Sequence, residues 1–243
     1  MRSEYDLQKR EIQMTKPVCA VVGIGPQNGA SFARRFASEG YAIALLSRKT
    51  EYSSKLAAEL DSARVYACDV TDPSAVDAAF ATIRAEMGEI DVLVYNAGSG
   101  VWGNIEELNA HDFEQSWRIN TMGAFLVSKQ VIPSMKEKKT GSIIFIGATA
   151  SLRGRPFTTA FAPAKAAQRS LAQAMAKHLW PSGIHVSLII IDGGVKSLDL
   201  DADVKAPETL DPDDIATTAY FLSQQPRSAW SFEVDVRPSR ESW

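Results

Sequence analysis

The residues best suited to chemistry stand near the amino end, in Gly23-Ile24-Gly25-Pro26-Gln27-Asn28-Gly29. This run follows a short apolar stretch and precedes a helical pattern from Ala30 to Glu39. Glycines are needed where a chain turns sharply between strand and helix and presents backbone N–H groups to a phosphate. The context raises the loop from a common pattern to a candidate nucleotide cradle, with Gly23, Gly25, Asn28 and Gly29 as its contacts. A plain tight turn is the competing reading. About 20 residues further on, a dinucleotide site usually places a carboxylate on the ribose hydroxyl. This chain has Ser47-Arg48-Lys49 instead. A serine and two cations suit a 2′-phosphate, so the sequence favours NADP(H), with NAD(H) as the alternative. Arg48 and Lys49 merely decorating an exposed loop is the bland reading.

The elements around this loop follow from hydrophobic periodicity. Val18 to Gly23, Tyr41 to Leu46, Val65 to Cys68, Asp91 to Tyr95, Ser142 to Ile146 and Ile184 to Ile191 are near-continuous apolar runs. Such runs suit strands buried on both faces of a parallel sheet. Asp72 with Pro73 reads as an N-cap and first helical position, Val76, Ala79, Phe80, Ile83 and Met87 recur at helical spacing, and Gly88 ends the run. Asn104 to Met135, with breaks, and Thr158 to Trp180 are further helical regions. Ser231 to Arg237 alternates, with Phe232, Val234 and Val236 on one face, and reads as a last half-exposed strand. Alternation of strand and helix predicts an α/β fold, a Rossmann-like doubly wound parallel sheet in one domain over residues 17–243. Residues 1–16 are charged and read as a mobile or loosely helical extension, in which Met14 is an alternative start.

Composition narrows the function classes. The 243 residues are 45% hydrophobic and 23% charged, enough to bury a core and against disorder. A net charge of −3 gives no footprint for nucleic acid or an anionic membrane. No apolar run approaches the roughly 20 residues of a membrane span, and the charged amino end is not a signal peptide. A cytoplasmic setting is the default expectation. Two cysteines, Cys19 and Cys68, both in apolar runs, read as small buried hydrophobes. His111, His178 and His185 follow no ligand spacing, so no metal site is expected.

The order of landmarks resembles the short-chain dehydrogenase/reductase family over nearly the whole chain after residue 16. Gly23, Gly25 and Gly29 stand in the cofactor loop, with Gln27 where the family has its middle glycine. Asp69-Val70 matches an adenine-contacting pair, and Asn96-Ala97-Gly98 matches the family's Asn-Ala-Gly segment. Asn120 in Trp117-Arg118-Ile119-Asn120 stands at the catalytic asparagine, and Lys165 at the catalytic, ribose-binding lysine. Asp192-Gly193, with Ser197, follows the sixth strand, where the family usually has Pro-Gly and then Thr. Gly193 is counted with the cofactor residues. The resemblance also implies a homo-oligomer, dimer or tetramer, joined through the two long helical regions, and a small-molecule substrate.

The family's mechanism uses a tyrosine four residues before the lysine and a serine thirteen residues before that tyrosine. Those positions hold Phe161 and Ala148, and neither has a hydroxyl. A missing acid or base costs on the order of 10²–10⁴ in rate, and a missing oxyanion donor a further ~3 kcal/mol, not additively. Substitutes are few. Thr149 serves only if its strand has already ended, since neighbours on a strand face opposite ways. Thr158 and Thr159 read as caps of the following helix. Asp192 follows a strand at the ligand edge, although Asp-Gly is also a common turn pair. Lys165 can pass a proton itself if burial lowers its pKa. Trp102 lines a pocket or packs, and the acidic segment Leu198 to Leu210 stands where the family folds a substrate lid. Three functions follow: an NADP(H)-dependent oxidoreductase with an altered proton path, an inactive nucleotide-binding sensor or structural partner, and a scaffold whose loop Gln27 has spoiled.

Overall fold

The computed structural model describes residues 16–196 and 209–240. Strand β1 (Val18–Val22) leads to helix α1 (Asn28–Ser38), then β2 (Ala42–Ser47), α2 (Glu51–Glu59), β3 (Ala63–Ala67), α3 (Pro73–Met87) and β4 (Ile90–Tyr95). Helix α4 (Ala110–Trp117) passes through a π-helical turn (Arg118–Met122) into α5 (Gly123–Lys138). Then come β5 (Ser142–Ala148), α6 (Phe161–Leu179), β6 (His185–Ile191), the two-residue strands β7 (Gly194–Val195) and β8 (Thr209–Leu210), α7 (Pro212–Gln224) and β9 (Glu233–Val236).

Seven strands form one parallel sheet in the order β3-β2-β1-β4-β5-β6-β9. The expected α/β doubly wound sheet is the one that forms. Alternate residues of each strand feed two cores. Val18, Ala20 and Val22 of β1 face α3, α5 and α6, where Phe80, Val131 and Ala176 pack. Cys19 and Val21 face α1, α2 and α7 with Phe36, Leu56 and Ile215. Both cysteines are buried, as expected, and burial pushes the Cys68 thiol up to about 11. Strand β1 lies in the middle of the sheet, between β2 and β4, and β1 and β4 diverge at their carboxyl ends into helices on opposite faces. That switch point is where open α/β sheets bind ligands.

The helix signals hold in detail. Asp72 accepts from Ser74 N at 2.9 Å with Pro73 behind it, and Gly88 closes α3 at φ +94°. Asn109 caps α4 by accepting from Asp112 N at 2.9 Å, which places His111 in the first turn. Three expectations change. Helix α6 begins at Phe161 rather than Thr158, and its N-cap position, Ala160, has no side-chain cap. Thr158 instead closes its own loop, donating to Arg155 O at 2.9 Å, and Thr159 donates to Pro156 O at 3.3 Å. Phe232 precedes β9 and packs in the core opposite to that of Val234 and Val236, because the strand register starts only at Glu233. Residues 1–15, Ser197 and the segment to residue 208 lie outside the described residues. Among the described residues no helix is long and apolar enough to cross a membrane.

Candidate active site at the carboxyl edge of the sheet

The glycine loop sits at the switch point. Gly23 has φ +96°, and a Cβ there would stand 2.4 Å from Ala97 N, so only glycine lets β1 end against the end of β4. Asn96 Nδ2 locks the approach by donating to Gly23 O at 2.7 Å. Gln27 occupies the N-cap position of α1, and the turn forms around it. Its Nε2 reaches Val195 O at 3.3 Å and Lys196 O at 3.4 Å, which ties the loop to the residues after β6. The first turn of α1 carries no acidic residue, so the positive end of the helix faces the crevice without a competing carboxylate.

This crevice, about 390 Å³, is lined by Gly23, Gly25, Gln27, Asn28 and Gly29 from the loop and by Ser47 and Arg48 from the end of β2. Cys68, Asp69 and Val70 close it beside β3, and Asn96, Ala97 and Gly98 beside β4. No carboxylate stands beside Ser47, whose hydroxyl meets Ser53 Oγ at 2.6 Å and Lys49 O at 2.8 Å. Asp69 is held by Thr71, which donates from N at 2.9 Å and from Oγ1 at 2.8 Å. Of the expected cofactor residues, Lys49 is exposed and outside the lining, while Lys165 and Gly193 line the adjoining cavity instead.

That adjoining cavity, about 550 Å³, shares Asn28, Asn96 and Gly98 with the crevice, so the two lie side by side. Asn28 Oδ1 is buried at the junction without a hydrogen-bond partner. Ala148, Thr149, Phe161, Lys165 and Asp192 all line the larger cavity. Lys165 rises from the first turns of α6, and its Nζ donates to Ile146 O at 2.8 Å and Gln168 Oε1 at 3.1 Å. Burial lowers its pKa to about 7. The Phe161 ring lies 5.9 Å from that nitrogen, one helical turn earlier. Asn120 is completely buried in the π-helical turn, which widens the ladder at this point. Its Nδ2 donates to Ser116 O at 2.8 Å and Ser99 O at 3.2 Å, while Oδ1 has no partner. Gly98 makes room between the two: a Cβ there would lie 3.4 Å from Asn120 Oδ1 and 3.8 Å from Lys165 Nζ.

Strand β5 ends at Ala148, and Thr149 opens a 3-10 turn. The condition under which its hydroxyl reaches the site is met. Thr149 donates to Asp192 Oδ1, and Asp192 is buried directly after β6 rather than exposed in a turn. Its other oxygen lies 3.1 Å from Arg237 Nη1 and 3.8 Å from Arg153 Nη2. No local pattern marks Arg153 or Arg237, because their partner comes from a distant strand end. Gln168 was also missed, although its place three residues after Lys165 puts both on one helix face. Trp102 both packs and lines the cavity, with its ring 5.8 Å from Phe157 and 5.2 Å from Phe161. His185 has Leu222 O at 3.0 Å and Ser231 O at 2.9 Å, and His178 meets Lys136 at 3.2 Å. Among the described residues no group of three or more His, Cys, Asp or Glu could hold a metal ion.

The sequence profile of the short chain dehydrogenase family matches residues 18–208. An uncharacterized oxidoreductase of Staphylococcus saprophyticus is 28% identical over 232 residues, covering 93% of this chain and 99% of its own. A metagenomic short-chain oxidoreductase solved in complex with NADP is 27% identical, with a TM-score of 0.81, over 93% of this chain and 98% of that one. A xylitol dehydrogenase solved with NAD+ is 26% identical, with a TM-score of 0.84, over 93% of this chain and the whole of that one.

Proposed function

The chain belongs to the short-chain dehydrogenase/reductase family, and on that footing we propose that it is an NADP(H)-dependent oxidoreductase whose proton-transfer site departs from the family's usual one. The observation that carries this reading is the adjacency of two cavities. A glycine-walled crevice over a helix N-terminus shares Asn28, Asn96 and Gly98 with a cavity holding Lys165. The residues fit a dinucleotide. Arg48 lines the end where a 2′-phosphate would lie, Asp69 and Val70 line the same crevice on the side where the adenine would lie, and Asn28 Oδ1 is buried without a partner. When bound, the nicotinamide supplies or accepts the hydride. The NAD+-bound relative keeps NAD(H) as the alternative, and the absence of a carboxylate beside Ser47 argues against it.

In this reading Asn120 and Lys165 keep their family roles, while Ala148 and Phe161 stand at the serine and tyrosine positions. Lys165 then moves the proton, since an amine near neutrality is both acid and base at working pH. Thr149 and Asp192 supply the remaining polar contacts, and Gly193, at φ +147°, lets the chain pass close to Pro238 and Leu210 beside the cavity. Substrates that need little polarisation suit such a site, for example an imine or an activated double bond. The lost hydroxyls also favour a second reading, in which the chain binds nucleotide without turnover as a sensor or structural partner. Exposed Phe113, Trp117 and Phe125 on α4 and α5 suit a homo-oligomer, dimer or tetramer.

A panel of carbonyl, enone and imine compounds with NADPH, run on the native chain and on the A148S/F161Y double variant, tests the proposal. Cofactor oxidation is expected with some member of the panel, and faster ketone reduction by the double variant. No oxidation by either protein, with nucleotide still bound, would favour the sensor.

A further inference from the structure

One hydroxyl in the larger cavity has its hydrogen-bonding role fixed by its neighbours. Thr149 has a single hydroxyl hydrogen and two near neighbours, Asp192 Oδ1 and Ile191 O, the latter at 3.3 Å. Both neighbours are acceptors, so the hydrogen is committed to them and away from the cavity. On its other oxygen the Asp192 carboxylate pairs with Arg237 Nη1 at 3.1 Å and Arg153 Nη2 at 3.8 Å, and a carboxylate only accepts. The carboxylate is buried and its backbone N is anchored to Val236 O at 2.9 Å, so it is fixed in place. What Thr149 offers the cavity is therefore a lone pair. Donors line the same cavity elsewhere, at Arg153 and Arg155, so the acceptor role belongs to the Thr149 position itself.

We propose that Thr149 recognises its substrate as a hydrogen-bond acceptor, so that this cavity prefers the hydroxyl- or amine-bearing member of a redox couple over the carbonyl member. Asp192 is the positioning residue that sets this polarity. The proposal rests on the oxidoreductase reading and narrows its substrate class to secondary alcohols and amines. The wall formed by Trp102, Phe157 and Phe161 suits a flat apolar body on the same molecule.

The test compares two probes of similar shape that NADP+ cannot oxidise. In 2-phenyl-2-propanol the hydroxyl donates but its carbon bears no hydrogen, and acetophenone can only accept. Each is titrated by ligand-observed NMR into the chain saturated with NADP+. The alcohol is expected to bind about tenfold more tightly, the worth of one hydrogen bond together with an avoided lone-pair clash. Thr149→Val, equal in shape, should bring the ratio to about one, and Thr149→Ser should restore it. Asp192→Asn is the sharpest variant, since its amide can donate to Thr149 and turn the hydroxyl toward the cavity; the preference should then pass to the ketone. A purely structural role for Asp192 would weaken both probes by one factor. A native ratio of one or below, or equal scaling of both probes by Asp192→Asn, overturns the proposal. Unchanged NADP+ affinity in each variant shows that its fold is intact. If the native chain binds no NADP+, the oxidoreductase reading fails separately, and the probe ratio is then read on the nucleotide-free protein.

Discussion

Replacing Lys165 by Met should remove a pH dependence of stability that the native chain carries. Lys165 is buried, and desolvation brings its pKa to about 7 from the ordinary 10.5. Below pH 7 the amine is charged in both folded and unfolded chains and contributes no slope. Between 7 and 10.5 the folded chain holds it neutral while the unfolded chain binds a proton, so stability rises with pH across that window. The slope is about 1.4 kcal/mol per pH unit at its steepest. From pH 7 to pH 9 the native chain should thus gain roughly 2 kcal/mol on Lys165→Met, whose other titrating groups are the same. Urea denaturation of both proteins at pH 7, 8 and 9 measures the difference, and resonances of ε-carbon-labelled lysine locate the titration directly. Parallel stability curves, with the amine titrating near its ordinary value, would refute the claim that this nitrogen is dry and available for proton transfer near neutrality.

Other outcomes are as direct. Arg48→Glu should weaken NADPH binding about tenfold or more while leaving NADH little changed, as judged by fluorescence titration. Gly23→Ala forces a side chain into a left-handed position and against Ala97 N. It should cost on the order of 2 kcal/mol and abolish stabilisation by nucleotide, both read from thermal melts with and without NADPH. Gln168→Leu removes one of the two acceptors of the Lys165 amine, so the lysine should titrate below 7, visible in the same labelled spectra.

How far the sequence carried depended on whether the physics was local. The sheet was legible because central strands buried on both faces leave unbroken apolar runs such as Ile184 to Ile191. The cap of α3 was legible because Asp72, Pro73 and Gly88 act within one turn of the chain. Helices α2 and α7 were not anticipated; Glu51 to Glu59 is short and only Ser53 and Leu56 in it are buried. The start of α6 was misjudged because Thr158 bonds back to Arg155, a choice made by loop geometry rather than by residue type. At the site, the glycine loop and the Asn-Ala-Gly segment are contiguous and could be read directly. The Thr149–Asp192–Arg237 arrangement joins the ends of β5, β6 and β9, and no spacing rule links those three positions. Gln27 looked disruptive as a letter replacing glycine, yet the helix still starts after it and its side chain reaches Val195 O and Lys196 O.

The central claim is that the adjoining crevice and cavity hold NADP(H) for hydride transfer. Calorimetric titration of the native chain with NADPH, with NADH as control, tests it most directly. One site per chain is expected, tighter for NADPH than for NADH and weakened by Arg48→Glu. Failure of both nucleotides to bind would contradict the account.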